Sequence, residues 1–186
     1  MPVQLLRRSF TVEEYYRMAQ AGILTEDDRV ELIEGEIIKM TPVGSRHAAC
    51  VDRLTHLFSA RVLGRAIVRV QNPIRLSERS EPQPDLALLR FRPDFYASSH
   101  PGPQDVFLVV EVAETSVDLD REIKLPLYAR SGIAEAWLVD LAGEQLEVHR
   151  HPTRQGYGEV QRVGRGARVR SQALPDLDLS VDEILG

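Results

Sequence analysis

The chain is 186 residues long, 43% hydrophobic and 27% charged, with a formal net charge of −5. That length suits one domain over residues 1–186 with a core of its own, and the composition excludes a disordered or fibrous chain. No run of residues approaches a membrane span, the first ten residues lack the apolar centre of a signal peptide, and Cys50 as the only cysteine excludes an internal disulfide or a multi-cysteine zinc cluster, so a cytoplasmic protein with no membrane partner is expected.

Taken in order, Thr11-Val-Glu-Glu14 is a capping box that opens a short helix, closed by Gly22 and packing through Tyr15, Met18 and Ala19. Arg29 to Ile33 and Glu36 to Met40 alternate about Glu34-Gly35 and predict a hairpin with a two-residue turn. Glu31 lies on the face of that strand opposite Val30 and Leu32. An edge-strand charge is the competing reading of it. Pro42 and Gly44 end the hairpin. Ser45 is placed to cap a helix with the apolar stripe Val51, Leu54, Leu57, Phe58 and Val62, and His47 sits one turn before Val51 on that stripe.

Ala66 to Gln71 and Ile74 to Leu76 read as strands about Asn72-Pro73, and Leu86 to Leu89 and Val106 to Ala113 as buried strands. Between the last two, Arg90 to Gln104 is long enough to act as a flap. Ser116 or Asp118 is expected to cap a helix carrying Lys124 and Tyr128 on one face, with Pro126 bending it or ending its first half. Glu135 to Leu141 and Gln145 to Arg150 pair across Ala142-Gly143, with Trp137 in the core. Gly156 to Val163 and Ala167 to Gln172 add two strands, and V-D-E-I-L a last helical turn.

Charge is uneven along this order. Residues 21–40 hold six acids against Arg29 and Lys39, and residues 145–172 hold six Arg against Glu147 and Glu159. The second segment reads either as a phosphate-facing sheet or as a solvated face. The acidic total weighs against a general nucleic-acid binder.

Two acids carry the chemistry. Asp85 stands at the mouth of one apolar strand, and Glu111 interrupts V-F-L-V-V-E-V-A in the next, where an unpartnered charge costs several kcal/mol. Carboxylates converging from neighbouring strands offer hard oxygen ligands to Mg²⁺. Lys124 is singled out by composition, since Lys39 and Lys124 are the only lysines among 23 Lys plus Arg, and a compact ammonium can hold or polarise water. An i, i+4 pair with Asp120 on a solvated helix face is the competing reading. The histidines lack H-x-x-x-H or H-E-x-x-H spacing, and G-x-S-x-G, Walker and G-x-G-x-x-G motifs are absent.

These residues resemble the PD-(D/E)XK nuclease superfamily, and within it the bacterial Uma-two family of restriction endonuclease-like proteins. The resemblance runs through E-L-I-E-G-E-I at 31–37, Q-P-D-L-A-L at 83–88, V-V-E-V-A-E-T-S at 109–116 and D-R-E-I-K-L-P-L-Y-A-R-S-G-I-A-E-A-W-L-V-D at 120–140. It implies that Asp85 and Glu111 bind metal, with the Val112 carbonyl as an extra ligand. The superfamily's lysine position holds Ala113 here, and the resemblance implies that Lys124 reaches into it from the following helix. The resemblance also implies an auxiliary acid at Glu31, while His47 and Tyr128 are expected from their helix faces to tune the site from its edge, a hydrogen-bonded core histidine being the competing reading of His47.

The element order suits an α/β (mixed α+β) fold with a central mixed sheet flanked by helices, by resemblance the restriction endonuclease-like fold. The expected activity is Mg²⁺- or Mn²⁺-dependent hydrolysis of phosphodiesters in nucleic acid, DNA ahead of RNA, with a homodimer as an allowed assembly. Two other readings stay open: a non-catalytic nucleic-acid-binding or regulatory module on the same fold, and a metal-dependent hydrolase of small phosphoesters.

Overall fold

Alternation of apolar residues along the strands builds a six-stranded sheet in order β3-β4-β5-β6-β7-β8 in the computed structural model, which describes residues 8–25 and 27–186. Its strands are β3 (Ala66–Val70), β4 (Leu86–Arg90), β5 (Val106–Ala113), β6 (Glu135–Asp140), β7 (Gln145–Thr153) and β8 (Gly156–Gly164). Only β5 and β6 run parallel. A parallel pair requires a crossover, and residues 117–130 supply it as α3 (Val117–Leu119), a π-helical turn (Asp120–Lys124) and α4 (Leu125–Arg130). The mixed sheet with helices on its faces is the fold class expected from the sequence.

Each face of the sheet buries its own apolar set. On one side Val51, Leu54, Phe58 and Val62 of α2 (Ser45–Val62) meet Leu86, Leu88, Val110, Val112, Trp137 and Val139. On the other, Leu125 and Tyr128 of α4 meet Ala87, Leu89, Val109, Ala113 and Leu138. Each fully buried Leu, Val or Phe contributes about 1.5–3 kcal/mol. Side chains of a strand alternate between faces, so Glu111, between Val110 and Val112, falls on the α4 side.

The predicted capping box of α1 (Val12–Gln20) is present, but the helix buries Val12 and half-buries Tyr15, Tyr16 and Met18, while Ala19 is exposed. The hairpin forms as β1 (Val30–Ile33) and β2 (Glu36–Lys39). Glu34 and Gly35 both take positive φ, 50° and 81°, the conformation a two-residue turn needs. A Cβ on Gly35 would also stand 2.6 Å from Ser9 Cβ.

Several expectations are corrected. Gly44, not Ser45, is the N-cap of α2. Ile74 to Leu76 is not a strand: its amides bond to the carbonyls of Pro82, Pro101 and Ser80, because Pro73 interrupts the chain before a partner strand can be met. Ser116 takes the N-cap position before α3, yet its hydroxyl donates to the Asp120 carboxylate, 2.9 Å away, and Asp118 lies inside the helix. Pro126 does not end the crossover helix. The turn before it widens, with the Leu125 N–H reaching Asp120 O, which accommodates a residue that lacks an N–H and whose ring clashes with the carbonyl four residues back.

The loop after β4 is folded rather than a free flap, held by buried Tyr96, whose hydroxyl donates to Arg90 O at 2.9 Å. The C-terminal arginines face carboxylates of the chain itself. Arg150 binds buried Glu135, Arg162 binds buried Glu147, Arg165 binds Glu144 and Asp182, and Arg168 and Arg170 bind Asp178. β9 (Arg168–Arg170) pairs with β10 (Asp178–Ser180), a strand the sequence pattern did not reveal, and α5 (Val181–Leu185) is capped by Ser180. Among the described residues no helix is long and apolar enough to cross a membrane. The signal-peptide reading rested on the first ten residues, of which 1–7 lie outside the described set.

Candidate active site

Asp85 closes a Gln-Pro-Asp run and leads into β4, which pairs with β5 so that Leu86 faces Val110. One residue outward on each strand, Asp85 and Glu111 come to the same end of the pair. The Asp85 carboxylate accepts from Val112 N–H at 2.9 Å and from the Gln71 amide at 3.1 Å, and His47 Nε2 lies 3.0 Å away. Burial pushes the pKa of Asp85 up, but the His47 hydrogen bond and charge and the two N–H donors outweigh it and hold the carboxyl below its usual range. The same hydrogen bond raises His47, against a smaller loss from burial. His47 Nδ1 is buried and has no partner.

Glu111 is 3% exposed. Tyr128, buried beneath it from α4, donates its hydroxyl to Glu111 Oε1 at 2.5 Å. Burial pushes the Glu111 carboxyl well above the usual carboxylate range; Lys124 opposes this, while Asp120, Asp85 and Glu31 add to it. Asp120 is pushed up to about 6, again chiefly by burial.

Lys124 comes from the π-helical turn, where it and Asp120 are both buried. Its Nζ lies 3.2 Å from Glu31, 3.3 Å from Glu111 and 4.0 Å from Asp120. The i, i+4 spacing to Asp120 is therefore real, but the solvated helix face is not, since Lys124 is 6% exposed. Burial alone would strip its proton. The Glu111, Glu31 and Asp120 carboxylates more than reverse that, and the amine stays an ammonium. Asp85 is not among its ion-pair partners.

Glu31 reaches the site from β1, a strand outside the main sheet. It is 2% exposed, and its second oxygen accepts from the Gln83 N–H at 2.9 Å. The edge-strand reading of this residue is thereby replaced by a buried one. Glu31, His47, Asp85, Glu111, Val112 and Lys124 all line one cleft with room of about 100 Å³. Tyr128 supports it from below.

Sequence reasoning passed over several residues of this cleft. Gln71, with φ of 47°, holds Asp85; a non-glycine residue in that region costs of order 1–3 kcal/mol, and nothing in the sequence marks it. Asp120 was read only as a surface partner. Lys39, the chain's other lysine, lines the same cleft from the exposed end of β2, with Arg29 beside it. The scarcity of lysine that marked Lys124 applied equally to Lys39.

The donor chemistry is of the kind a divalent cation takes, although among the described residues no three His, Asp or Glu side chains are grouped to hold one. Five carboxylates, of Glu31, Asp85, Glu111, Glu114 and Asp120, line the cleft together with Lys124, Lys39, Arg29 and one imidazole, and carboxylate oxygens are the hard ligands that suit Mg²⁺.

Comparison with known proteins gives the family and the fold. The sequence model of the Uma2 family, described as "Putative restriction endonuclease", matches residues 12–182. A crystal structure described as a putative nuclease belonging to DUF820, from Anabaena variabilis ATCC 29413, superposes with a TM-score of 0.73 over 95% of this chain and 97% of that one, at 15% identity. No curated protein matches.

Proposed function

The chain belongs to the Uma2 family, described as restriction endonuclease-like and matched over residues 12–182, and on that premise we propose that it is a metal-dependent endonuclease hydrolysing phosphodiester bonds of nucleic acid, DNA ahead of RNA. The family's description supports the nuclease-like activity. The observation that carries the finer reading is the Lys124 ammonium 3.3 Å from Glu111, arriving from the crossover helix where the neighbouring strand position holds only Ala113.

In this reading Asp85 and Glu111, with the Val112 carbonyl, would hold Mg²⁺ or Mn²⁺. Such an ion, when bound, would lower the pKa of a water and neutralise charge on the phosphate. Lys124 has a different part. Because its surroundings keep it an ammonium, it does not remove a proton; it donates hydrogen bonds to the attacking water and offsets negative charge developing on the phosphoryl oxygens. His47 keeps Asp85 ionised and oriented through the 3.0 Å contact. Tyr128 fixes the rotamer of Glu111, and Glu31 fixes the ammonium.

The test is cleavage of end-labelled DNA and RNA with and without Mg²⁺, comparing the native chain with Lys124→Ala and Asp85→Asn. Removing a group that stabilises transition-state charge costs about 10²–10³ in rate, and Asp85→Asn is expected to abolish metal-dependent turnover. Metal binding by the native chain without any turnover would replace this reading with a non-catalytic module on the same fold. Full activity of Lys124→Ala would remove the lysine from the mechanism.

A further inference from the structure

A second concavity, of about 420 Å³, is lined by Tyr16, Arg75, Tyr96, Ser98, Ser99 and His100. None of these residues belongs to the cleft around Asp85. Planar groups dominate it. The Tyr16 and His100 rings stack with centroids 6.5 Å apart and 24° between planes, and the Arg75 guanidinium lies 6.0 Å from the Tyr16 ring centre.

A hydrogen-bond chain holds these planes in place. Arg69 donates to His100 Nδ1 at 3.0 Å, which leaves the proton of the neutral ring on Nε2 to donate to the Tyr16 hydroxyl, also at 3.0 Å. The hydroxyl in turn donates to Glu81 Oε1 at 2.5 Å, and Arg75 Nε donates to the other Glu81 oxygen at 2.6 Å. Glu81 is buried, so the stack is anchored from inside the fold. Arg75 lines the groove beside its partner Glu81, and Arg69 adds a second guanidinium at His100 Nδ1.

The groove is linked to the cleft by one strand. Arg69 lies in β3 and Gln71 just past its end, two residues on in the chain, where the backbone turns to positive φ; Arg69 anchors His100, and Gln71 anchors Asp85. β3 is also an edge of the sheet, so a strand lying along it meets no further protein strand.

From this geometry we infer that the groove of Tyr16, Arg75 and His100 is a subsite for an unpaired nucleotide flanking the scissile phosphate, its base joining the aromatic stack and its phosphate facing the arginines. Base–aromatic stacking accepts any base and favours single strands over duplex, whose bases are already stacked. The inference rests on the nuclease reading of the cleft and adds to it a preference for single-stranded or locally opened substrate.

The test uses a short single-stranded DNA carrying 2-aminopurine, whose fluorescence is quenched by stacking, with the matching duplex as comparison. Quenching on addition of the native chain is expected for the single strand and less for the duplex. Tyr16→Leu is expected to remove the quench and weaken binding about tenfold. Ser99→Glu sets a negative charge in the groove at an exposed loop position, and is expected to weaken binding without touching the anchoring network, so it decides the matter if Tyr16→Leu does not fold. Unchanged quenching and affinity in Ser99→Glu and in any folded Tyr16→Leu, or tighter binding of duplex than of single strand, overturns the subsite. Quenching with no cleavage under any metal leaves the subsite standing and sinks the nuclease reading; cleavage with binding unaltered in these variants does the reverse.

Discussion

Lys124 is the residue on which both charge balance and chemistry turn, and its burial changes what its loss does to folding. A lysine at the rim of a cleft would be replaced by Ala with little effect on stability. In the fold Lys124 is 6% exposed and faces Glu31, Glu111 and Asp120, so its removal leaves buried carboxylates without their cation. Breaking a buried pair costs about 3–5 kcal/mol. Lys124→Ala is therefore expected to be destabilised by that order at pH 8 and by less at pH 5, where Asp120, pushed up to about 6, is protonated and uncharged. Urea unfolding at the two pH values checks this; a loss below about 1 kcal/mol at both would show that the acids do not depend on the lysine.

His47 and Asp85 make a pH-dependent pair at the same scale. The folded-state pKa of His47 is raised, so its contribution is complete below the unfolded value of about 6.5 and is lost as pH rises through the folded value. That of Asp85 is lowered, so its contribution is present above about 3.9 and is lost as pH falls through the folded value. The stability difference between the native chain and His47→Ala is expected to be largest between about pH 4 and 6.5 and to shrink by pH 8. A difference that is flat from pH 4.5 to 8 would mean that the contact carries no charge.

At the scale of elements, the crossover helix positions the ammonium through its irregularity. The π-helical turn Asp120–Lys124 directs both of its terminal side chains inward, and π turns inside helices recur at functional sites. Pro126 follows it and lacks the N–H that a regular helix would use. Pro126→Ala restores that donor and is expected to let the turn tighten, shifting Lys124 and lowering metal-dependent cleavage by about tenfold while stability changes by under about 1 kcal/mol. Undiminished cleavage in this variant would show that the widened turn is not what places the lysine.

For the whole molecule, buried carboxylates outside the cleft tie the C-terminal strands to the sheet. Glu135 is fully buried and accepts from the Trp137 indole, Arg150, the Ser171 hydroxyl and the Gln172 N–H, joining β6 and β7 to the segment after β9. Every lone pair direction is used, so the charge is stable only while its cation remains. Arg150→Ala is expected to lower unfolding free energy by about 3–5 kcal/mol, with metal binding at the cleft unaffected because no residue of this network lines it. A thermal melt beside a metal titration measures both; a melt unchanged from the native chain would refute the structural role.

What the sequence determined by itself follows from local periodicity and local chemistry. The capping box at Thr11 and Glu14, the Glu34-Gly35 turn, the stripe of α2 and the two apolar strands with their single acids are each written within a few residues, and the rarity of lysine pointed to Lys124. Only the tertiary structure decided which charges meet. Lys124 and Asp120 have one spacing whether the helix face is wet or dry, and the face is dry because Glu31, 93 residues before Lys124, and Glu111 from another strand close over it. Gln71 and Lys39 joined the site through strand pairing that no local pattern encodes. Of the arginines of residues 145–172, Arg150 and Arg162 are drawn to the buried carboxylates of Glu135 and Glu147, a pairing that no local pattern announces.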